Sequence, residues 1–199
     1  MKQELMQALE ETTADVVTLS GMGEPTLASN LHEIITGIHE TTELPIALLT
    51  NSTLLDQKEK QQVLQDIDII VAKLDAPNQQ LFQRINRPAT GVTFAQTLKG
   101  IKEMRNQFSG RFDLQMMFID ENKDTAEAMA ELARSIEPDF IELNTPLRPC
   151  PVKPLSEQIM DAIQEYFTNQ QTLSVYHSEK PKTNPIDKLD MIQRRRMED

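Results

Sequence analysis

The chain has 199 residues, a formal net charge of −11 at pH 7 and a single cysteine. That length suits one domain with a real core, and the acidic balance argues against a general nucleic-acid surface, which needs a basic face to release counterions. One thiol excludes a disulfide framework and a cysteine-based metal centre within the chain.

Residues 2–11 read as a helix with Leu5 and Leu9 one turn apart, followed by a buried strand over 15–20. The run Ser20-Gly21-Met22-Gly23-Glu24-Pro25-Thr26 comes next. Glycines at 21 and 23 allow a sharp turn that exposes backbone polar groups, and Pro25 suits the first turn of a helix. Glu24 then stands at the carboxyl end of a strand, where βα folds place ligands. A carboxylate among bare carbonyls suits an ammonium or a hydroxyl better than a phosphate, and the alternative is a tight turn with a solvated glutamate. A dinucleotide fingerprint is a poor match, because Thr26 occupies the third glycine position.

Leu27, Leu31, Ile34, Ile35 and Ile38 recur at helical spacing, and His32 and His39 fall in that same pattern. The three histidines, with His177, show no metal-ligand spacing, so no metal site is expected. A second buried strand, 45–50, ends in Asn51-Ser52-Thr53. Asp56 and Glu59 read as a capping box opening a short helix to about residue 65. The third strand, 69–74, runs into Asp75-Ala76-Pro77. Residues 78–91 read as irregular and contain Arg84-Ile85-Asn86-Arg87-Pro88. Thr93 caps a helix carrying Phe94, Leu98, Ile101 and Phe108. A fourth strand over 112–119, a helix over 125–136 and a fifth strand over 140–143 follow, the last ending in Asn144-Thr145-Pro146-Leu147-Arg148-Pro149. The last helix, 156–167, carries Ile159, Ile163 and Phe167, and 173–176 reads as a short extra strand. One domain over 1–176 and a basic, ill-ordered tail over 177–199, with Arg194-Arg195-Arg196, are expected.

Five strand–helix alternations with short connections predict an α/β fold with a parallel sheet of about five strands. Side-chain parity separates an open doubly wound sheet from a curved one. Thr18 with Ser20, Lys73 with Asp75, Asp113 with Gln115 and Glu142 with Asn144 each share a face. A doubly wound sheet is apolar on both faces, so these polar rows predict a partial βα barrel with a lumen for a polar ligand.

The motif around Gly21, Gly23 and Glu24, then Leu49-Thr50-Asn51-Ser52-Thr53-Leu54-Leu55, then Lys73-Leu74-Asp75-Ala76, resemble the radical S-adenosylmethionine (SAM) superfamily. Phe82-Gln83-Arg84-Ile85-Asn86-Arg87-Pro88 and Leu143-Asn144-Thr145-Pro146-Leu147-Arg148-Pro149 resemble its Fe–S oxidoreductase branch related to wyosine-base synthesis. The resemblance implies that Gly21, Gly23 and Glu24 bind the amino group of SAM, with Thr50 and Asn51 at the next strand end. It places Lys73 and Asp75 toward the ribose and carboxylate, Asp75 accepting from a hydroxyl, and Asn144 and Arg148 near adenine or substrate. Arg84, Arg87 and Arg148, with Lys73, are the candidates for holding a substrate. The family's complete enzymes cleave SAM at a [4Fe–4S] cluster to a 5′-deoxyadenosyl radical, the cluster held by cysteines spaced C-x3-C-x2-C after the first barrel strand. This chain has no such motif, and Cys150, between two prolines, does not replace it. The expectation is a radical SAM fragment lacking the first strand and cluster loop, inactive alone. The alternative is a cluster-less protein that binds SAM or another small ligand, and a SAM-independent barrel enzyme using Asp75 and Glu142 ranks last. Wyosine chemistry acts on tRNA, yet this acidic chain makes a poor RNA surface. No membrane segment or signal peptide is read, so a cytoplasmic protein is expected. Residues 15–20, left as an exposed apolar edge, favour self-association.

Overall fold

The computed structural model describes residues 2–178 apart from Thr12, Met22 and Pro149. From residue 179 onward the expected basic tail lies outside the described residues. Helix α1 (Lys2–Glu11) precedes β1 (Val17–Leu19), and the chain continues as α2 (Leu31–His39), β2 (Ile46–Thr50), α3 (Lys58–Val63), β3 (Ile69–Lys73), α4 (Gln79–Ile85), α5 (Phe94–Gln107), β4 (Arg111–Met117), α6 (Ala126–Ile136), β5 (Phe140–Asn144), α7 (Glu157–Gln164) and β6 (Thr172–Ser174). All neighbouring strands are parallel, in the order β1-β2-β3-β4-β5-β6. Each strand lies beside its sequence neighbour, which is the winding of a barrel; a doubly wound sheet reverses direction at a switch point.

The two sheet faces differ as the parity argument predicts. Register aligns Leu48, Ile70 and Phe112 in one row and Ala72, Leu114 and Ile141 in the next. All six are buried in one core with Ile35 of α2, Ile101 and Met104 of α5, Met129 of α6 and Ile163 of α7. On the opposite face Lys73, Gln115, Glu142 and Leu173 align. The first three are half-buried, and Leu173 is 41% exposed. Helices therefore cover one face and leave the other open.

Four local expectations change. The sheet has six strands rather than about five, because Thr172–Ser174 pairs with β5 one residue earlier than the 173–176 reading. The stretch read as irregular contains α4, whose first turn is capped by the Asn78 side chain accepting from Leu81 N at 3.0 Å; this asparagine signal was legible but short. The Asp56–Glu59 box does not form: α3 starts at Lys58 after Gln57, with no side-chain cap. The backbone of Leu55 and Asp56 is instead packed against α5 at Gly100, where a Cβ would meet Asp56 N at 2.5 Å. Pro25 opens only a single 3-10 turn, Pro25–Leu27, ahead of α2. The edge expectation stands: β1 is the outer strand, and Val16 beside it is exposed.

Candidate cofactor site

The loop after β1 brings Glu24 to the carboxyl ends of the strands. Its side chain caps the following 3-10 turn, Oε1 accepting from Thr26 N at 3.2 Å and Thr26 Oγ1 at 2.6 Å. The same oxygen accepts from Thr50 Oγ1 at 2.6 Å, and Oε2 accepts from Asn51 N at 2.6 Å. A single carboxylate thus ties the β1 loop to the end of β2. Charge-assisted bonds of this kind fix its position. Oε1 is filled, but Oε2 has one donor and room for another. Thr50 and Asn51 therefore both belong to the site, Thr50 through its hydroxyl and Asn51 through its backbone; the Asn51 side chain accepts instead from Thr53.

Around this carboxylate lies an open cleft of about 240 Å³, lined among others by Gly21, Gly23, Thr50, Asn51, Lys73 and Gln115. Neither Gly21 nor Gly23 has a left-handed backbone; only Gly91 does among the described glycines. A left-handed backbone therefore does not require these glycines. A Cβ added to Gly23 would meet nothing within 4 Å, so the glycine leaves free room beside the backbone. A carboxylate with spare acceptor capacity beside an uncluttered backbone suits an ammonium group.

Asp75 is placed differently. It is 3% exposed, its Oδ1 accepting from Met117 N at 2.9 Å and its Oδ2 from Asn86 Nδ2 at 2.8 Å and Lys73 Nζ at 3.0 Å. Asn122 adds bonds from its side-chain amide to the carbonyls of Asp75 and Met117 at 2.8 and 2.9 Å. This network staples the end of β3 to the end of β4, and Asp75 does not line the cleft. Asn144 ends β5 in register with Met117 and is half-buried outside the cleft. Arg84, Arg87 and Arg148 are exposed, on segments that follow β3 and β5, with no acidic partner among the described residues. Thr26, Asn86, Gln115 and Asn122 were not singled out as site residues by sequence. Gln115 carried a signal in its parity on the polar face, and Thr26 and Asn86 stood inside the motifs that carry the family resemblance, whereas Asn122 carried none.

Deeper on the open face, Arg111 pairs with buried Asp113 at 2.7 Å and its guanidinium lies 4.3 Å from the centre of the Phe140 ring. Burial pushes the Asp113 carboxyl above its ordinary value despite the pull of Arg111. The same pairing raises Arg111 further.

Residues 2–133 match the family model of the radical SAM superfamily. The chain belongs to the radical SAM superfamily. Over 140 residues, 70% of this chain, it is 41% identical to a UPF0026 protein of Synechocystis sp., covering 53% of that protein. Over 150 residues it is 28% identical to a UPF0026 protein of Methanocaldococcus jannaschii, covering 46% of it. The chain thus spans about half the length of these curated relatives. The fold superposes on Streptococcus suis SuiB bound to S-adenosylmethionine with a TM-score of 0.69 at 14% identity, over 87% of this chain and 42% of that one.

The superfamily's iron–sulfur cluster does not fit the residues of this chain. Such clusters are held by several thiolates, whereas Cys150 is the sole cysteine and its exposed thiol donates to Val152 O at 3.2 Å. Among the described residues no three or more histidine, cysteine or acidic side chains are grouped to hold a metal ion. Among them also, no helix is long and apolar enough to cross a membrane.

Proposed function

We propose that this chain is the SAM-binding part of a radical SAM protein. The observation that carries the reading is Glu24, held between the β1 loop and the end of β2 with Oε2 still able to accept. Glu24 and the backbone of Gly21 and Gly23 would take the ammonium of SAM, and Thr50 and Asn51 N hold Glu24 in place. Lys73, anchored by Asp75, offers a cation on the cleft wall, suited to a carboxylate. Asp75 acts by positioning Lys73, and Asn144 stands further along the open face, toward adenine. In this superfamily SAM yields an organic radical once it receives one electron, and this chain, with one thiol, has no group to deliver it. The chain alone therefore binds SAM without cleaving it, whether it works beside a cluster held elsewhere or as a binding protein.

Equilibrium dialysis with labelled SAM tests this. Saturable binding that weakens in Glu24→Gln is expected, with no 5′-deoxyadenosine formed under strong reductant. Absence of SAM binding, or affinity unchanged by Glu24→Gln, overturns the site. Production of 5′-deoxyadenosine by this chain alone overturns the inactive reading.

A further inference from the structure

The open face and its cleft carry four carboxylates whose partners can be compared. Asp75 is paired with Lys73 and Asp113 with Arg111. Glu24 has no cation but belongs to the SAM site proposed above. Glu142 is the remaining one. Its Oε2 accepts from Gln115 Nε2 at 2.8 Å, and among the described residues neither Glu142 Oε1 nor Gln115 Oε1 has a hydrogen-bond partner.

Position makes this pair informative. Lys73, Gln115 and Glu142 lie in register on β3, β4 and β5, and the first two line the cleft. Glu142 therefore stands one strand beyond the cleft, about 5 Å away across the sheet. Neither neighbouring cation pairs with it: Lys73 lies against Asp75 and Arg111 against Asp113. Arg111 feels the charge of Glu142 without pairing to it. A half-buried carboxylate such as Glu142 has lost part of its water and gains from a counter-charge. Next to it on β6 is Leu173, 41% exposed and in register with Glu142, and half-buried Met117 occupies the next row on β4. Two open acceptors with an exposed leucine beside them match an ammonium on an alkyl stem, whose head wants charge and whose methylenes want cover.

We infer that Glu142, with Gln115, recognises a protonated amine on the substrate, its alkyl stem resting on Leu173, one strand away from bound SAM. The inference rests on the cleft being the SAM site, and it makes Glu142 a specificity residue for a cationic substrate. The overall charge of −11 favours such a partner as well.

The test uses the full chain labelled with ¹⁵N and three probes of one stem length: n-butylammonium, butyrate and n-butanol, with SAM binding measured separately by dialysis. Butylammonium is expected to shift the amides of Gln115, Met117, Glu142 and Leu173 saturably, while butyrate does not. Butanol binds at least about tenfold more weakly, and Glu142→Gln weakens butylammonium about tenfold with SAM affinity unchanged. Equal binding of butanol, preference for butyrate, or an unaltered response in Glu142→Gln overturns the inference. A loss of SAM affinity in Glu142→Gln also overturns it, assigning the carboxylate to the SAM sulfonium or ribose. Failure of the wild-type chain to bind SAM, with the butylammonium response intact, sinks the SAM reading instead and leaves an amine site.

Discussion

The two faces of the sheet solve opposite problems. The covered face is a continuous apolar core in which Leu48, Ile70, Phe112, Leu114 and Ile141 meet four helices. The open face is built from paired charges and amides: Lys73 with Asp75, Arg111 with Asp113, Gln115 with Glu142. Burial of apolar area is tolerant of detail and stabilises through its extent, so the first face can be read as bulk. On the second face each polar group must find its own partner, because an unmatched buried one is costly. The difference teaches where stability and recognition separate: groups buried among their partners, such as Asp75, hold the strands, and those that line the cleft or face the open side are the candidates for ligands.

Breaking that distinction is easiest at Asp75. Asp75→Ala strips Met117 N, Asn86 and Lys73 of one shared acceptor and is expected to cost about 3 kcal/mol, read as a lower urea midpoint. A loss below about 0.5 kcal/mol would mean the carboxylate is not structural. On the covered side, Gly100→Ala drives a methyl into the backbone of Leu55 and Asp56. Overpacking of this kind costs about 2 kcal/mol, and thermal unfolding should show a clear fall in Tm. Glu24→Gln sharpens the comparison from the ligand side. It keeps the shape, weakens SAM about tenfold, or about 1.4 kcal/mol, and leaves the denaturation midpoint less affected than Asp75→Ala does. Were Glu24→Gln the more unfolding of the two, Glu24 would be a staple rather than a ligand group.

The smallest effect is a pH dependence. Burial raises Asp113 above its ordinary value in the folded chain. A carboxyl raised on folding contributes stability below its unfolded pKa and loses it as pH rises through the folded one. Stability of the wild type relative to Asp113→Asn should therefore decline as pH rises from about 3 toward 7. Urea midpoints of both proteins at matched pH values provide the check, and a difference that grows with pH would show Arg111 outweighing burial.

Much of this was legible in the chain. Strand–helix alternation and the parity of Lys73, Asp113, Gln115 and Glu142 predicted a singly wound sheet with one polar face, and the register bears it out. The Gly21–Glu24 motif placed a carboxylate at a strand end, where it stands. What failed was short or shared between distant segments. Helix α4 covers Gln79–Ile85 only, too brief for its periodicity to stand out from a loop. The capping box over Asp56 and Glu59 lost to the packing of α5 at Gly100, a partner more than forty residues away.

The sequence by itself determined the class of fold, the open polar face and the carboxylate in the first loop, because these follow from local periodicity and backbone chemistry. Tertiary structure alone decided which carboxylates are spent. Asp75 and Glu24 look alike in the chain, each following a strand. Asp75 is buried, tied to Met117 and Asn86, 42 and 11 residues onward, while Glu24, braced by Thr50 and Asn51, lines the open cleft. Burial is a property of neighbours in space, and no spacing along the chain encodes it.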